Sequence, residues 1–310
     1  MRVDLAAAEQ FLRDRYGGEI GVVTPIARQG VWSSAYRFDR RGADFVIRFT
    51  PYVADLEKDR RAARFASAEL PIPPVLEMGS AFDGYFAISP YIEGAHIDGL
   101  DEPGMRQVLP SLLATLDAMR RVDLSAFSGY GDWNSDGLGH FPGWRAMLLD
   151  VRSDRGGRGM PPWRQRLADS PTGAQAFDRA FDVFSSLAER CPEERHLVHA
   201  DLLHFNVLVA HDRVAAILDW GCSVYGDFLY DLAWLAFWRP WFPAWSGIDF
   251  AREGLDFYRS RGVPLPGSDE RLRCYQLHIG LGHQQWYASR GDWANLEKTA
   301  RHTLAIAESE

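Results

Sequence analysis

The stretch of residues 197–220 constrains the fold of this chain more than any other part of the sequence. It contains His199, Asp201 and Asn206 in the spacing H-x-D-x4-N, and Asp219 follows Asn206 by thirteen residues. The apolar runs between Asn206 and Asp219 predict two short β-strands joined by a turn. A polar loop, a hairpin and an aspartate at the strand end are an arrangement that phosphoryl-transfer enzymes use.

Each residue type in this motif matches a task in phosphoryl transfer. The reaction concentrates negative charge on phosphate oxygens and needs Mg²⁺, which prefers oxygen ligands. Asn206 and Asp219 offer an amide oxygen and a carboxylate, so we predict that they bind Mg²⁺. Asp201 is the predicted catalytic base, because its carboxylate can accept the proton of an attacking hydroxyl. His199 is predicted to brace the loop by hydrogen bonds.

The motif resembles the core of the aminoglycoside and choline-type phosphotransferases, whose fold is protein-kinase-like. The segment 226–233 resembles the one that follows in that family, and the similarity covers nearly the whole chain. Four stretches are similar to the members that phosphorylate hygromycin B. They are residues 65–73, 191–201, 238–241 and 271–281. The resemblance implies ATP and Mg²⁺ as cofactors, the cationic aminoglycoside hygromycin B as the substrate, and antibiotic resistance as the result.

The order of periodic patterns predicts an α+β chain with two lobes. Residues 1–92 are expected to form a nucleotide-binding lobe with an antiparallel β-sheet and a helix, and residues 93–310 a mainly helical catalytic and substrate-binding lobe. The predicted helices are residues 4–16, 55–70, 101–121 and 175–190. The predicted strands are residues 20–26, 35–38, 45–49, 75–78, 85–88, 207–209 and 214–218. Residues 125–159 are predicted to be loops with short helices.

A turn between two predicted strands is the candidate phosphate-binding loop. Its small residues let backbone N–H groups approach phosphate oxygens, so we assign Gly30, Ser33 and Ser34 to cofactor binding. The segment that contains Ser89 and Tyr91 resembles the hinge of a kinase-like fold, whose backbone would hydrogen-bond to adenine. These two residues complete the predicted adenine side of the site.

Arg48 is the predicted cation for the α- and β-phosphates. It lies on the third predicted strand, whereas the two lysines of the chain, Lys58 and Lys298, lie elsewhere. A planar guanidinium binds phosphate through two N–H groups. The acidic partner of this cation is expected in the following helix, where Glu57 and Asp59 flank Lys58, and we favour Glu57.

Carboxylates and aromatic rings suit a polycationic sugar, and a net charge of −8 agrees with a cationic substrate. The predicted substrate-binding residues are Asp227, Asp231, Trp238 and Trp241. Phe205 and Gly282 depart from the polar residues of the hygromycin B branch, and the acceptor therefore stays open. The alternatives are a metabolic kinase for choline, homoserine or a sugar amine, and a nucleotide-binding module without turnover.

Composition argues against several other classes of protein. The acidic balance disfavours nucleic-acid binding. Three cysteines without a CxxC motif disfavour a disulfide framework or a zinc site and fit the cytoplasm. No run of about 18 apolar residues predicts a membrane span, and the N-terminus does not resemble a signal peptide. We expect a cytoplasmic monomer that binds neither nucleic acid nor membrane.

Overall fold

The computed structural model of the chain describes residues 2–154 and 161–309. Its helices are α1 (Leu5–Tyr16), α2 (Val53–Ala62), α3 (Glu102–Arg120), α4 (Trp144–Leu149), α5 (Arg164–Ala168), α6 (Gln175–Ala188), α7 (Leu229–Trp238), α8 (Phe250–Ser260), α9 (Ser268–Arg290) and α10 (Trp293–Glu308). Its strands are β1 (Ile20–Pro25), β2 (Ser34–Arg40), β3 (Ala43–Thr50), β4 (Glu77–Ala81), β5 (Gly84–Pro90), β6 (Ala95–His96), β7 (Tyr130–Trp133), β8 (Gly139–Phe141), β9 (His196–Val198), β10 (Val207–Ala210), β11 (Arg213–Ile217) and β12 (Val224–Gly226).

The backbone groups into two units, each made of several chain segments. The first consists of Met1–Ala118, Asn134–Gly137 and Leu202–Cys222. The second consists of Met119–Trp133, Leu138–Asp201 and Ser223–Glu310. This division differs from the predicted boundary near residue 92, because residues 93–118 and the motif hairpin both belong with the N-terminal segment.

The first sheet of this first unit is antiparallel, in the order β1-β2-β3-β5-β4. β2 and β3 are joined by Arg41 and Gly42, which have φ angles of 55° and 79°. Positive φ at both positions is typical of the type I′ turns that match the twist of two paired strands. Ile47 and Phe49 on β3 are buried in the core beneath α1, so the pleat directs Arg48 to the opposite face of the sheet.

A second, smaller sheet of the first unit has the order β11-β10-β6. Leu208 pairs with His96 across β10 and β6, and the N–H of Ile217 donates to the carbonyl of Pro71 at 2.8 Å. The first pairing joins the motif hairpin to the segment after the first sheet, and the second bond joins it to the segment between α2 and β4. They are the physical reason why Leu202–Cys222 clusters with the N-terminal part of the chain.

The second unit is mainly helical. Its sheet, in the order β8-β7-β12-β9, is short-stranded, and α9 packs against α5, α6, α7 and α10. The close approach of α9 and α10 requires a glycine, because a Cβ on Gly280 would lie 2.2 Å from Oγ1 and 2.8 Å from Cγ2 of Thr303. Thr303 is fully buried, so its side chain has no free space into which to turn.

The predicted fold class, an antiparallel sheet with a helix followed by a mainly helical part, is confirmed. The helix predicted over residues 55–70 ends at Ala62 and passes into a short 3₁₀ turn, Ala63–Phe65. The stretch predicted as loops over residues 125–159 contains β7, β8 and α4, and its residues 155–159 lie outside the described part. No helix in the described ranges is both long and apolar enough to cross a membrane.

The tight contact at Gly280 gives a stability prediction. Gly280→Ala should lower the free energy of unfolding by about 1–3 kcal/mol, because the new methyl group overpacks against Thr303. Gly282→Ala in the same helix is the matched control, since a Cβ there meets nothing within 4 Å. The control should be neutral or stabilising by up to about 1 kcal/mol, because alanine favours a helix over glycine. Urea unfolding measures both, and equal effects would contradict the packing argument.

Candidate active site

A cavity of about 480 Å³ in the first unit gathers most of the predicted cofactor-binding residues. Its size lies in the range of small-molecule sites. The predicted residues that line it are Gly30, Ser33, Arg48, Ser89, Tyr91, Asn206 and Asp219. The phosphate loop, the hinge segment and both predicted Mg²⁺ ligands therefore share one cavity.

Arg48 lies at the centre of an ion-pair network in this cavity. Its guanidinium donates a hydrogen bond to Asp59, and its Nη1 lies 3.5 Å from Oδ1 of Asp219. The other carboxylate oxygen of Asp59 accepts the backbone N–H of Trp220 at 2.8 Å. Asp59 thus holds both the predicted phosphate cation and the backbone next to the predicted metal ligand.

The acidic partner of Arg48 is Asp59, and the preference for Glu57 was wrong. Side chains two positions apart on an α-helix point about 200° apart around the helix axis. The side chain of Glu57 therefore turns away from the sheet when that of Asp59 faces it. Leu56 and Ala62 are buried on the inner side of α2. No ion pair joins Arg48 to Glu57 within the described residues.

The surroundings of Asp59 change the pKa of its carboxyl group. Burial raises the pKa of this carboxyl to about 6, the positive charge of Arg48 lowers it, and the nearby charge of Asp219 raises it again. The adjacent guanidinium of Arg48 opposes the effect of burial and so favours the ionised carboxylate.

The side chain of Gln29 closes the base of the phosphate loop between β1 and β2. Its Nε2 donates to the carbonyls of Ile26 at 2.7 Å and Ala35 at 2.9 Å, and its Oε1 accepts the N–H of Ala35 at 2.7 Å. Gly30 approaches Ser33 so closely that a Cβ would lie 2.5 Å from the hydroxyl oxygen. The loop is therefore tied to both strands and compact at its turn.

Ser34 does not face the cavity. It is buried as the first residue of β2 and its hydroxyl accepts the N–H of Val3 at 3.2 Å. The alternation of the strand places it on the core side with Tyr36 and Phe38. We therefore remove Ser34 from the phosphate-binding set and keep Gly30 and Ser33.

The hinge residues lie at the end of β5. Ser89 pairs with Val46 of β3, and the N–H of Tyr91 donates to the carbonyl of Asp44 at 3.0 Å. The ring of Tyr91 lies under the guanidinium of Arg37, 4.2 Å from its centroid. This end of the cavity offers an aromatic and backbone-lined wall, which suits a flat heterocycle.

The catalytic loop in the second unit is held by Asp231. One carboxylate oxygen of Asp231 accepts the N–H of His199 and the other accepts the N–H of Ala200, both at 2.8 Å. The N–H of Asp201 donates to Nδ1 of His199 at 3.3 Å. His199 is fully buried and bonds to the backbone of the predicted base Asp201, and its bracing role stays a prediction.

Asp231 is buried, which changes its predicted role. Burial raises the pKa of its carboxyl to about 7, although the two backbone donors lower it. Both carboxylate oxygens are already engaged by the loop, so they are not available to a cationic sugar. We reassign Asp231 from substrate binding to positioning of the catalytic loop.

Asp227 is also an interior residue. It is fully buried and accepts hydrogen bonds from Nε and Nη2 of Arg271 at 2.8 and 2.7 Å, from the hydroxyl of Tyr275, and from the N–H of Leu229 at 3.0 Å. A buried carboxylate saturated in this way stabilises the packing of α7 against α9. It is removed from the predicted acceptor site.

The two predicted substrate-binding tryptophans pack within the second unit. Trp238 is 1% exposed and its ring lies 4.7 Å from that of His283 and 4.9 Å from that of Trp241. Trp241 also stacks on Phe237, and Nζ of Lys298 lies 4.3 Å from its ring centroid. These contacts assign the buried ring of Trp238 to packing, whereas Trp241 is half-buried and stays a predicted substrate-binding residue.

The donor chemistry of the cavity suits Mg²⁺ bound together with a nucleotide. Asn206 and Asp219 both line it and both carry oxygen donors, which Mg²⁺ prefers. No group of three or more His, Cys, Asp or Glu side chains in the described ranges is arranged to hold a metal ion. Mg²⁺ characteristically completes its shell with phosphate oxygens and water, so two protein ligands are sufficient.

Three residues that line or support this cavity were missed from the sequence: Arg28, Gln29 and Asp98. Arg28 and Gln29 lie in the predicted phosphate loop, and the ability of an amide to donate and accept at once was a usable signal for Gln29. Asp98 bonds to His204, 106 residues away in the chain. No local pattern marks such a contact.

Comparisons with known proteins show which family the chain is similar to. The sequence pattern of the phosphotransferase enzyme family matches residues 23–266. Hygromycin-B 4-O-kinase of Escherichia coli is 33% identical over 288 residues, which are 92% of this chain and 80% of that enzyme. A thermostable mutant of aminoglycoside phosphotransferase APH(4)-Ia, in ternary complex with AMP-PNP and hygromycin B, has a TM-score of 0.85 and 32% identity over 97% of this chain and 98% of its own.

A more distant solved structure shares the fold. Spectinomycin phosphotransferase APH(9)-Ia, in complex with ADP and spectinomycin, has a TM-score of 0.62 at 15% identity, over 99% of this chain and 98% of its own. The backbone arrangement is thus common to proteins whose sequences have largely diverged.

The role of Asp231 gives a prediction about the catalytic loop. Asp231→Asn should lower the free energy of unfolding by about 2 kcal/mol, because an amide supplies one acceptor oxygen where the loop needs two and turns its NH₂ group toward a donor. Catalytic turnover should fall with it. Asp249→Asn is the matched control, since this exposed residue accepts a single N–H, that of Arg252. Urea unfolding and turnover assays would contradict the assignment if both variants behaved alike.

Proposed function

The chain belongs to the phosphotransferase enzyme family, and on that basis we propose that it transfers the γ-phosphate of ATP to a hydroxyl of an aminoglycoside, hygromycin B. The observation that carries the proposal is the cavity that combines the phosphate loop with Arg48, Asn206 and Asp219. An arginine, a carboxylate and an amide oxygen around one cavity suit a Mg²⁺-bound polyphosphate. Antibiotic resistance is the expected consequence of modifying such an acceptor.

The residues divide the work of the transfer. Arg48, held by Asp59, binds phosphate oxygens of ATP, while the backbone of the loop at Gly30 and Ser33 covers them. Asn206 and Asp219 would hold Mg²⁺, which when bound supplies positive charge to the phosphates. The walls at Ser89 and Tyr91 would receive adenine.

The chemical step needs a base and an acceptor. The acceptor oxygen attacks the γ-phosphorus while the bond from that phosphorus to the bridging oxygen breaks, and ADP leaves with the bonding electron pair. Asp201 accepts the proton of the hydroxyl and later passes it to solvent. Asp201 is oriented by the loop that Asp231 holds through the N–H groups of His199 and Ala200.

The choice of acceptor rests on the relatives and on charge. The E. coli relative is named as a hygromycin-B 4-O-kinase, and one solved relative contains hygromycin B together with AMP-PNP. A net charge of −8 favours the approach of a polycation. Because ATP is the phosphate donor, we expect the enzyme to act in the cytoplasm, and we expect it to act as a monomer.

The test is ADP release from ATP and Mg²⁺ in the presence of hygromycin B, kanamycin, spectinomycin, choline or homoserine. Hygromycin B should stimulate release in the wild type, and Asp201→Asn should reduce turnover by at least about 100-fold, because it removes the base. The matched control is Asp212→Asn, an exposed aspartate at the hairpin turn, which should retain wild-type turnover.

Other outcomes would change the proposal in a defined way. Release stimulated by choline or homoserine alone would replace the aminoglycoside with a metabolic acceptor. Nucleotide binding without release for any acceptor would contradict the proposed transfer. Equal turnover in the wild type and Asp201→Asn would contradict the assignment of the base.

A further inference from the structure

The backbone next to Asn206 is held in an unusual conformation by one carboxylate. Oδ1 of Asp98 accepts the N–H of His204 at 2.8 Å, and Oδ2 accepts the N–H of Phe205 at 3.0 Å. His204 and Phe205 have φ angles of 63° and 75°, in the left-handed region that residues with a Cβ rarely adopt. Two bonds from one carboxylate hold the backbone of this pair, so the direction of the Cα–Cβ bond of Phe205 is also fixed.

The ring of Phe205 is packed between two side chains of the cavity wall. His96 contacts it edge-on, with ring centroids 5.4 Å apart. The guanidinium carbon of Arg28 lies 4.1 Å from the ring centroid, within the distance of a cation–π contact. Phe205 is therefore a platform that holds the side chain of Arg28 against the cavity.

Arg28 carries a positive charge that no described carboxylate of its unit neutralises. Among the described residues, no carboxylate forms an ion pair with Arg28, and the ring of Phe205 is its contact. Arg37 offers a comparison, because it also lines the cavity and lies over an aromatic ring but is paired with Asp44. Arg28 thus keeps its hydrogen-bond donors available for an anion.

We propose that Arg28 is a second phosphate-binding residue, one that contacts the terminal phosphate of ATP. The inference rests on the proposed function, because it requires ATP in the cavity. Arg28 lies in the phosphate loop, and the residue it contacts, Phe205, directly precedes the predicted Mg²⁺ ligand Asn206. Arg48 is paired with Asp59 and Asp219 instead. Arg28 and Arg48 would therefore bind different phosphates of ATP.

The chemistry of arginine suits this task. During transfer, negative charge is spread over the equatorial oxygens of the γ-phosphoryl group, and a guanidinium can donate to two of them. Stacking on Phe205 limits the freedom of the side chain before the nucleotide arrives, so less is lost on binding. A lysine would keep the charge but lose the planar stack and the paired donors.

The test compares nucleotides that differ in the terminal phosphate. Dissociation constants of AMP-PNP and ADP, each with Mg²⁺, are measured by calorimetry for the wild type, Arg28→Ala and Arg28→Lys. Arg28→Ala should weaken AMP-PNP about tenfold and leave ADP within about twofold, as expected for the loss of one charge-assisted contact. Arg28→Lys should weaken AMP-PNP by a smaller factor. Binding of ADP also shows that each variant is folded.

Two further variants separate this role from a general effect of charge. Arg37→Ala, the matched control, should change the affinities for AMP-PNP and ADP by the same factor. Phe205→Leu should reproduce the selective loss of Arg28→Ala in weaker form, because it removes the platform and keeps the charge.

The outcomes separate this inference from the function on which it rests. If Arg28→Ala weakens both nucleotides equally, or neither, Arg28 does not contact the terminal phosphate and the inference is overturned, while the proposed function stands. If the wild type binds neither nucleotide, both are overturned.

Discussion

The ion pair between Arg48 and Asp59 is the interaction on which the first unit's site depends. Arg48 sits on a strand whose neighbours are buried in the core, so the sheet fixes the position of its backbone. Asp59 fixes the guanidinium from α2 and also accepts the N–H of Trp220. One carboxylate therefore joins a strand, a helix and the turn after β11. Losing one partner of such a part-buried pair leaves an uncompensated charge, which is strongly destabilising.

Backbone strain in the loops of the motif follows a common pattern. Ala200, His204, Phe205 and Asp219 all have positive φ, and such conformations cost about 1–3 kcal/mol each. Carboxylates offset much of this cost, since a hydrogen bond to a charged group contributes about 1.5–3 kcal/mol. In the second unit the carboxylate is that of Asp231, and in the first unit it is that of Asp98. The strained residues therefore lie at or next to the predicted functional side chains, whose orientation depends on this backbone conformation.

Much of the site could be predicted because its signals are local in the sequence. The motif spacing identified Asn206 and Asp219, and the strand pattern around residues 45–49 identified Arg48. The structure places these three residues in one cavity. The helix before Gly17 was also predictable, because Asp4 caps it and glycine ends it.

The errors concern residues whose roles are set by distant partners. Asp227 resembles a surface carboxylate in the sequence, yet it is buried against Arg271, 44 residues away. Glu57 and Asp59 are both acidic and lie two positions apart, so the sequence does not distinguish them as partners of Arg48. Only the orientation of α2 about its own axis decides which of them faces Arg48. Short strands such as Val224–Gly226 carry too few residues to show a period, so pairing with neighbouring strands defines them.

A double-mutant cycle tests the central claim, that Asp59 acts on the nucleotide through Arg48. The dissociation constant of AMP-PNP with Mg²⁺ is measured for the wild type, Arg48→Ala, Asp59→Ala and the double variant, with Glu57→Ala as the control. The account predicts that Asp59→Ala weakens binding in the wild type and has little further effect once Arg48 is absent, which gives a coupling energy of at least about 1 kcal/mol. Glu57→Ala should bind as the wild type does. Additive effects of the two substitutions, or an effect of Glu57→Ala as large as that of Asp59→Ala, would contradict it.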